Sequence, residues 1–155
     1  MPGTTKTSTR GSSSMGWTDE ERAAMKEHAE ELKKAKRRGG KTKKADGEAD
    51  VQAKIAELPD ADRAMAERIH SIVKHTAPDL APRTWYGMPA YANEDGKVIC
   101  FFTPASKFKE RYSSFGFNAD AHLDEGSMWP TAWALTKLTK ADEKRIADLV
   151  KKAVS

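Results

Sequence analysis

The spacing of apolar residues divides the chain into a polar beginning, a helical stretch, a strand-rich middle and a helical end. Apolar side chains recur at intervals of three and four residues from about 60 to 75, and again after Thr139, which is the spacing of one helix face. Between 84 and 138 the period changes and aromatic residues accumulate, as is typical of β-strands. The pattern therefore predicts helices on both sides of three or four strands.

Capping and breaking residues set the predicted helix bounds. Asp50 can cap a short helix over 51–58, and Pro59 separates it from a second helix over 60–75. Thr139, with an acid three residues later, is the start signal of the final helix. The second and the final helix are amphipathic, so we expect both to pack on the same apolar surface.

The middle of the chain predicts a mostly antiparallel sheet. A strand over 84–92 contains Gly and Pro, which indicate a bulge or an edge position. The turn at 93–96 ends in Asp-Gly, a strong hairpin signal, and 97–103 is apolar on both faces, as expected of a central strand. Further strands are predicted over 111–117 and within 126–138. A sheet with two helices on one face belongs to the α+β class.

Three segments follow from this pattern. Residues 1–17 are rich in Gly, Ser and Thr and predict a disordered tail. Residues 18–49 predict an N-terminal helix over 19–38 and a basic linker over 39–47, because a capping box precedes the helix and two glycines follow it. The apolar stripe of this helix is thin, so we expect weak docking. Residues 50–155 form the predicted α+β domain.

Positive charge is concentrated in the N-terminal segment. The net charge is +4, and no acidic residue lies between Leu32 and Ala45. Such clusters attract phosphate without reading base sequence, so weak association with nucleic acid is one hypothesis, and a solvated linker is the alternative. The basic residues concerned are Lys33, Lys34, Lys36, Arg37, Arg38, Lys41, Lys43 and Lys44.

The composition argues against a disulfide scaffold and a membrane span. The single cysteine, Cys100, lies in an apolar run and is expected to be a buried, unreactive side chain. No stretch reaches the roughly 20 apolar residues of a membrane-spanning helix, and residues 1–14 lack the apolar centre of a secretion signal. We therefore expect a cytoplasmic protein with no membrane partner.

Catalytic signatures do not stand out in the sequence. There is no Gly-x-Ser-x-Gly motif and no phosphate-cradling glycine-rich loop. The four histidines form no metal-binding pair and are expected at the surface or at helix ends. They are His28, His70, His75 and His122. Catalytic residues can converge from distant positions, but the sequence favours a binding or accessory role over an enzyme.

Aromatic residues of the predicted strands indicate a possible binding surface. Strand alternation divides them between two faces, and two helices can cover only one. The other face would carry aromatic and basic side chains, which suits an anionic or flat ligand. The alternative is that these rings belong to the core or to the packing of the N-terminal helix. The candidate groove residues are Trp85, Tyr86, Met88, Tyr91, Lys107, Arg111, Phe117 and Trp129.

Three stretches resemble the YdhG-like family of bacterial domains, within the superfamily of bacterial frataxin. They are Trp-Tyr-Gly-Met-Pro-Ala-Tyr at 85–91, the hairpin strand at 96–102 and Gly-Ser-Met-Trp-Pro at 126–130. The resemblance covers about residues 51–153 and implies a frataxin-like α+β fold. One member type is described as an iron chaperone, so the resemblance implies iron as a possible cofactor. The acids that would bind it are Glu57, Asp60, Asp62 and Glu67.

Overall fold

The computed structural model describes residues 16–38 and 44–155; most of the predicted tail and the first part of the predicted linker lie outside these ranges. Within them, the helices are α1 (Asp19–Arg37), α2 (Lys44–Ala56), α3 (Asp60–Thr76) and α4 (Lys140–Val154). The strands are β1 (Ala81–Trp85), β2 (Met88–Ala92), β3 (Val98–Thr103), β4 (Ser113–Phe117) and β5 (Ala132–Leu135). The predicted α+β class is confirmed. None of the described helices combines the length and apolar character needed to cross a membrane.

The five strands form one sheet in the order β1-β2-β3-β4-β5, and each neighbouring pair is antiparallel. The prediction of a single strand over 84–92 is wrong, because two strands meet there in a tight turn at Tyr86 and Gly87. Their φ angles are 54° and 78°, and such a left-handed pair matches the twist of two antiparallel strands. Glycine adopts this conformation freely, whereas a side chain such as that of Tyr86 costs about 1–2 kcal/mol there.

Helix α2 begins at Lys44, well before the predicted start at 51, so the linker prediction is wrong over 44–47. Gly47 is buried where the helix crosses β1. A Cβ atom at this position would lie 1.9 Å from the carbonyl oxygen of Pro82. The glycine therefore serves the close approach of two backbones, and not a flexible connection.

The other helix bounds follow the predicted signals. Capping boxes at Thr18 and Thr139 start α1 and α4, and α3 ends at Thr76, one residue after the predicted end. Asp50 lies inside α2 and therefore does not cap it. Its carboxylate instead accepts a hydrogen bond from the Arg38 guanidinium at 3.0 Å.

Helices α2, α3 and α4 share one buried cluster with the sheet. Phe102 and Phe115 are fully buried and face each other across β3 and β4. Val51, Ile69 and Val150 bring one buried side chain from each helix to the same cluster. Burial of an apolar side chain of this size contributes roughly 1.5–3 kcal/mol. Three helices supply this core, where two were predicted.

Cys100 lies in this core, as the apolar run around it predicted. The side chain is fully buried, and burial raises the pKa of its thiol. A buried protonated thiol is a poor nucleophile. Cys100 therefore acts as a small apolar side chain.

The opposite face of the sheet carries Phe101, whose ring covers Gly116 on β4. A Cβ atom on Gly116 would lie 2.8 Å from that ring, and the Trp85 ring packs against it at a centroid distance of 5.1 Å. Helix α1 lies against this side near the β1–β2 turn and buries Ala24. The second face is therefore partly covered by α1.

Candidate functional site

A cleft of about 480 Å³ lies between the start of α1, the β1–β2 turn and the segment that joins β3 to β4. Ligand sites in proteins typically occupy roughly 300–1,000 Å³. Rings from three separate parts of the chain line this cleft. They belong to Trp17, Trp85, Tyr86, Phe108 and Tyr112. The cleft is the most aromatic surface that we find in the described residues.

The floor of the cleft is built by neighbouring strands. Thr103 and Ser114 are cross-strand partners in β3 and β4, and the Thr103 hydroxyl donates to the Met88 sulfur at 3.2 Å. The Trp85 ring packs between two others, with centroid distances of 5.1 Å to Phe101 and 5.2 Å to Tyr86. Sheet register and ring packing hold these side chains, so the floor is already formed without a ligand.

The capping box of α1 fixes the outer wall. The Thr18 hydroxyl accepts a hydrogen bond from the Glu21 N–H at 3.0 Å, and the Glu21 carboxylate accepts one from the Thr18 N–H at 2.9 Å. Trp17 directly precedes this cap and is 44% exposed, while Tyr112 is 39% exposed. Partly exposed rings beside a cavity are typical of a surface that binds a ligand or a partner.

The charged side chains that line the cleft are acidic. They are Glu21 and Glu110. The two basic residues predicted for the groove do not line the cleft, but each lies over one of its rings. Lys107 Nζ is 5.7 Å from the centroid of the Phe108 ring and binds a carboxylate of α1 at 2.6 Å. Arg111 is 5.1 Å from the centroid of the Tyr112 ring and lines a different cavity. The charged side chains that line the cleft are therefore opposite in sign to those expected for an anionic ligand.

The structure brings only part of the predicted groove into this cleft. Tyr91 and Phe117 belong to the buried core on the helix-covered face, because strand alternation points them away from the second face. Trp129 lines a separate cavity. The predicted residues that do line the cleft are Trp85, Tyr86 and Met88.

Three lining rings were missed from the sequence. Trp17 lies in the predicted tail. Phe108 and Tyr112 each directly follow a basic residue that was predicted for the groove, but the two rings were not themselves included in it. One usable signal was present, since an aromatic residue directly before a capped helix is held in place by the cap.

Helix α1 is attached beside the cleft by its acidic side chains. The Glu27 carboxylate accepts hydrogen bonds from Lys54 at 2.7 Å and from Lys107 at 2.6 Å. Burial alone would raise the pKa of Glu27, but the bonds to Lys107 and Lys54 outweigh it and the pKa is lowered. Glu27 is therefore held in its charged form.

One helical turn later, Glu31 binds the turn between β1 and β2. One of its oxygens accepts from the Tyr86 N–H at 2.9 Å, and the other accepts from the Gly87 N–H at 2.8 Å. His28 stacks almost parallel on the Tyr86 ring, with 3.9 Å between the ring centroids. Helix α1 is therefore held in place by polar contacts and one stacked ring, because its own apolar stripe is too thin to bind it.

A second titratable cluster lies under α2. His70 is 5% exposed, so the prediction of a surface position is wrong for it; Nδ1 lies 2.8 Å from the Tyr91 hydroxyl, and Nε2 lies 2.8 Å from Glu48. Burial alone would raise the pKa of Glu48, but bonds to Gln52, His70 and Lys74 lower it to about 2. Tyr91 is 1% exposed, so this network joins α2, α3 and β2 and serves packing.

The four acids expected to bind iron are not brought together. Asp60 pairs with Arg63 at 2.7 Å, and Asp62 accepts a hydrogen bond from the Ser106 N–H at 3.1 Å. The other two are Glu57 and Glu67, both exposed. Within residues 16–38 and 44–155, no three His, Cys, Asp or Glu side chains are grouped so that they could hold a metal ion. The iron prediction finds no site there.

The basic residues expected to contact nucleic acid are partly engaged. Lys34 and Arg38 bind Asp50 at 3.1 and 3.0 Å, and Lys44 Nζ donates to the Pro78 carbonyl at 2.6 Å. Lys34 and Lys44 are exposed despite these contacts, and so are Lys33, Lys36 and Arg37. Lys41 and Lys43 lie outside the described residues.

Comparison of the chain with models of protein families, with curated proteins and with solved structures found no match. The resemblance to the YdhG-like family therefore stays a prediction. The functional conclusion rests on the geometry of the cleft.

Proposed function

We propose that this chain is a non-enzymatic binding protein whose ligand occupies the cleft between α1 and the sheet. The ligand is a small molecule with a flat, apolar or aromatic body that is neutral or positively charged. The observation that carries the proposal is the convergence of five rings from three separate segments on one preformed cleft of about 480 Å³. Such rings offer a large contact area with little side-chain entropy to lose.

A positive charge on the ligand would find two kinds of partner in the cleft. The faces of Trp and Tyr rings attract a cation within about 6 Å, which contributes about 0.5–2 kcal/mol. Two lining rings, Phe108 and Tyr112, already lie under Lys107 and Arg111, so the tryptophan rings are the main partners for a ligand cation. Glu21 and Glu110 add negative charge to the lining. An anionic ligand would meet the same carboxylates, so the geometry favours a cation.

The positions of the most perturbed ionisable groups support binding over catalysis. Catalytic acids and bases usually combine a displaced pKa with an accessible cleft. The pKa of Glu48 is lowered to about 2 and those of Tyr91 and Cys100 are raised. None of these three groups lines the aromatic cleft.

Two matched probes test the proposal. We expect 2-naphthylmethylammonium to bind saturably in a ligand-observed NMR titration of the full chain. The carboxylate analogue, 2-naphthoate, should bind at least about tenfold more weakly, because cation–π attraction is lost and repulsion by the cleft carboxylates replaces it.

Variants of the full chain test whether the ammonium probe binds in the aromatic cleft. Trp17→Ala should weaken binding of the ammonium probe about tenfold, since it removes one wall of the cleft. Met128→Ala is the control, because Met128 is 89% exposed and lines a different cavity. Equal affinity for both probes, or an unchanged affinity in Trp17→Ala, would contradict the proposal.

A frataxin-like assignment of the domain is part of the same proposal. The succession of helix, antiparallel sheet and helix supports it, together with the stretches at 85–91, 96–102 and 126–130. An iron-chaperone role gains no support from the positions of the acids. Nucleic-acid association through exposed Lys33 and its neighbours stays the alternative, and no described contact favours it.

A further inference from the structure

Helix α1 is held to the rest of the protein by charge and hydrogen bonds more than by apolar burial. Ala24 is its buried residue, and its larger apolar side chains, Met25 and Leu32, are 37% and 54% exposed. By contrast, α3 buries five side chains in or near the core. A helix attached in this way can be exchanged without opening the core.

The surface under α1 contains a preformed carboxylate site at the β1–β2 turn. Two successive residues with positive φ, Tyr86 and Gly87, point their N–H groups at the same carboxylate. Successive backbone N–H groups in such turns form an anion-binding concavity. The site belongs to the sheet, and Glu31 of α1 fills it.

A second carboxylate site lies beside the first. Lys54 from α2 and Lys107 from the segment after β3 both bind Glu27. The Lys107 side chain is 14% exposed with α1 in place, so its pair with Glu27 is largely withdrawn from water. The two sites receive Glu27 and Glu31, whose spacing of four residues is one turn of a helix.

The surface is therefore complementary to the pattern of side chains that α1 presents to it. It binds two carboxylates one helical turn apart. Between them it accepts a flat ring that stacks on Tyr86, as His28 does. The shape and the charge of this surface specify the partner independently of the small ligand proposed above.

We infer that this surface is a docking site for an acidic helix of a partner protein, and that α1 occupies it in cis as an internal competitor. Helix α1 ends at Arg37 and α2 begins at Lys44, and a covalent connection between a site and its occupant gives an effective concentration on the order of millimolar. A free helix with the same pattern must therefore compete with α1. Displacement of α1 would expose the site and remove one wall of the aromatic cleft.

A charge-reversed variant of the full chain tests this inference. Glu27→Lys with Glu31→Lys places α1 cations against Lys54 and Lys107, so α1 should leave the site. The probe is a fluorescently labelled peptide with the sequence of residues 16–38. We expect the variant to bind it at least about tenfold more tightly than the wild-type chain does, because the wild-type site is filled.

Two controls make the result specific. A peptide that carries Glu27→Gln and Glu31→Gln should bind the variant at least about tenfold more weakly than the native peptide. The full-chain variant Asp19→Lys with Glu30→Lys makes the same charge change at two exposed positions of α1, and Asp19 pairs with Arg22 of the same helix. This variant should bind the native peptide no better than wild type does.

Hydrogen exchange of the variant Glu27→Lys with Glu31→Lys reports whether α1 has left the site. Each of the following outcomes would overturn the inference. Undiminished protection of 19–37 would show that Glu27 and Glu31 do not hold the helix. A released helix with no peptide binding would show that the surface is not a receptor. Loss of the whole fold would show that α1 cannot be exchanged. None of these results depends on the naphthyl probes, so the two proposals fail separately.

Discussion

At Gly47 the backbone of α2 lies directly against the Pro82 carbonyl oxygen, with no space for a side chain. Gly87 is also crowded, since a Cβ atom there would lie 2.5 Å from the Glu27 carboxylate. The two positions differ in what blocks them. A carboxylate at the end of a flexible side chain can move, whereas the carbonyl of a paired strand cannot. We therefore expect Gly47 to be the more demanding position for packing.

Gly47→Ala should lower the free energy of unfolding by about 2–3 kcal/mol, because α2 must move away from β1 to admit the methyl group. Urea denaturation of the full chain measures the change. Ala49→Gln, which adds side-chain atoms at an exposed position of the same helix, is the control and should change stability by less than about 0.5 kcal/mol. Equal stability of the two variants would mean that α2 does not lie this close to β1.

At the scale of elements, the network of Glu48, His70 and Tyr91 links α2 to α3 and β2. The pKa of Glu48 lies below its ordinary value of 4.5, at about 2, so the ionised carboxylate stabilises the folded state. This contribution is complete above the ordinary pKa and is lost as the pH falls from about 4.5 through about 2.

Glu48→Gln should remove this contribution and lower the free energy of unfolding at neutral pH by about 1–2 kcal/mol. It should also flatten the loss of stability between about pH 5 and pH 2. Urea titrations at several pH values measure both effects, with Glu67→Gln, at an exposed position of α3, as the control. An acid slope equal to that of wild type would exclude Glu48 as its source.

Element types were predictable wherever the signal is local. The capping boxes of α1 and α4 and the Asp-Gly hairpin each depend on residues within four positions of one another. The early start of α2 was missed because Gly47 serves a contact with Pro82, which is distant in sequence. The split of β1 from β2 was missed because Tyr86 has a positive φ that its residue type does not favour.

The cleft was predictable only in part, for the same physical reason. Trp85, Tyr86 and Met88 come from one local stretch whose composition indicated a surface. The outer wall depends on the docking of α1, which is set by contacts such as that between Glu31 and the Gly87 N–H. Contacts between distant residues leave no periodic signal in a single sequence.

At the scale of the whole molecule, two kinds of attachment coexist. The sheet and α2, α3 and α4 share an apolar core. Helix α1 is instead bound mainly by polar contacts, those of Glu27 and Glu31 and the ion pairs that Asp50 of α2 makes near the end of α1. Salt shortens the range of charge interactions, from roughly 10 Å at 0.1 M to 3 Å at 1 M, and strengthens or leaves unchanged the burial of apolar groups. The two attachments should therefore respond differently to salt.

Hydrogen exchange at low salt and at 1 M NaCl should distinguish the polar attachment of α1 from the apolar core. We expect amides of α1 (19–37) to exchange at least about threefold faster at high salt, because Lys54 and Lys107 are screened from Glu27. Amides of α3 (60–76) should exchange at an unchanged or slower rate. Equal acceleration in both helices would mean that α1 is not a separately attached unit.

The burial of Cys100 makes it easier to follow the movement of α1 with a covalent label. The chain contains one cysteine, and it is sealed in the core with its thiol protonated. Maleimide reagents need an accessible thiolate, so they should spare it in the folded protein. A cysteine introduced on the outer side of α1 would then take a dye or spin label alone, without removal of the native residue.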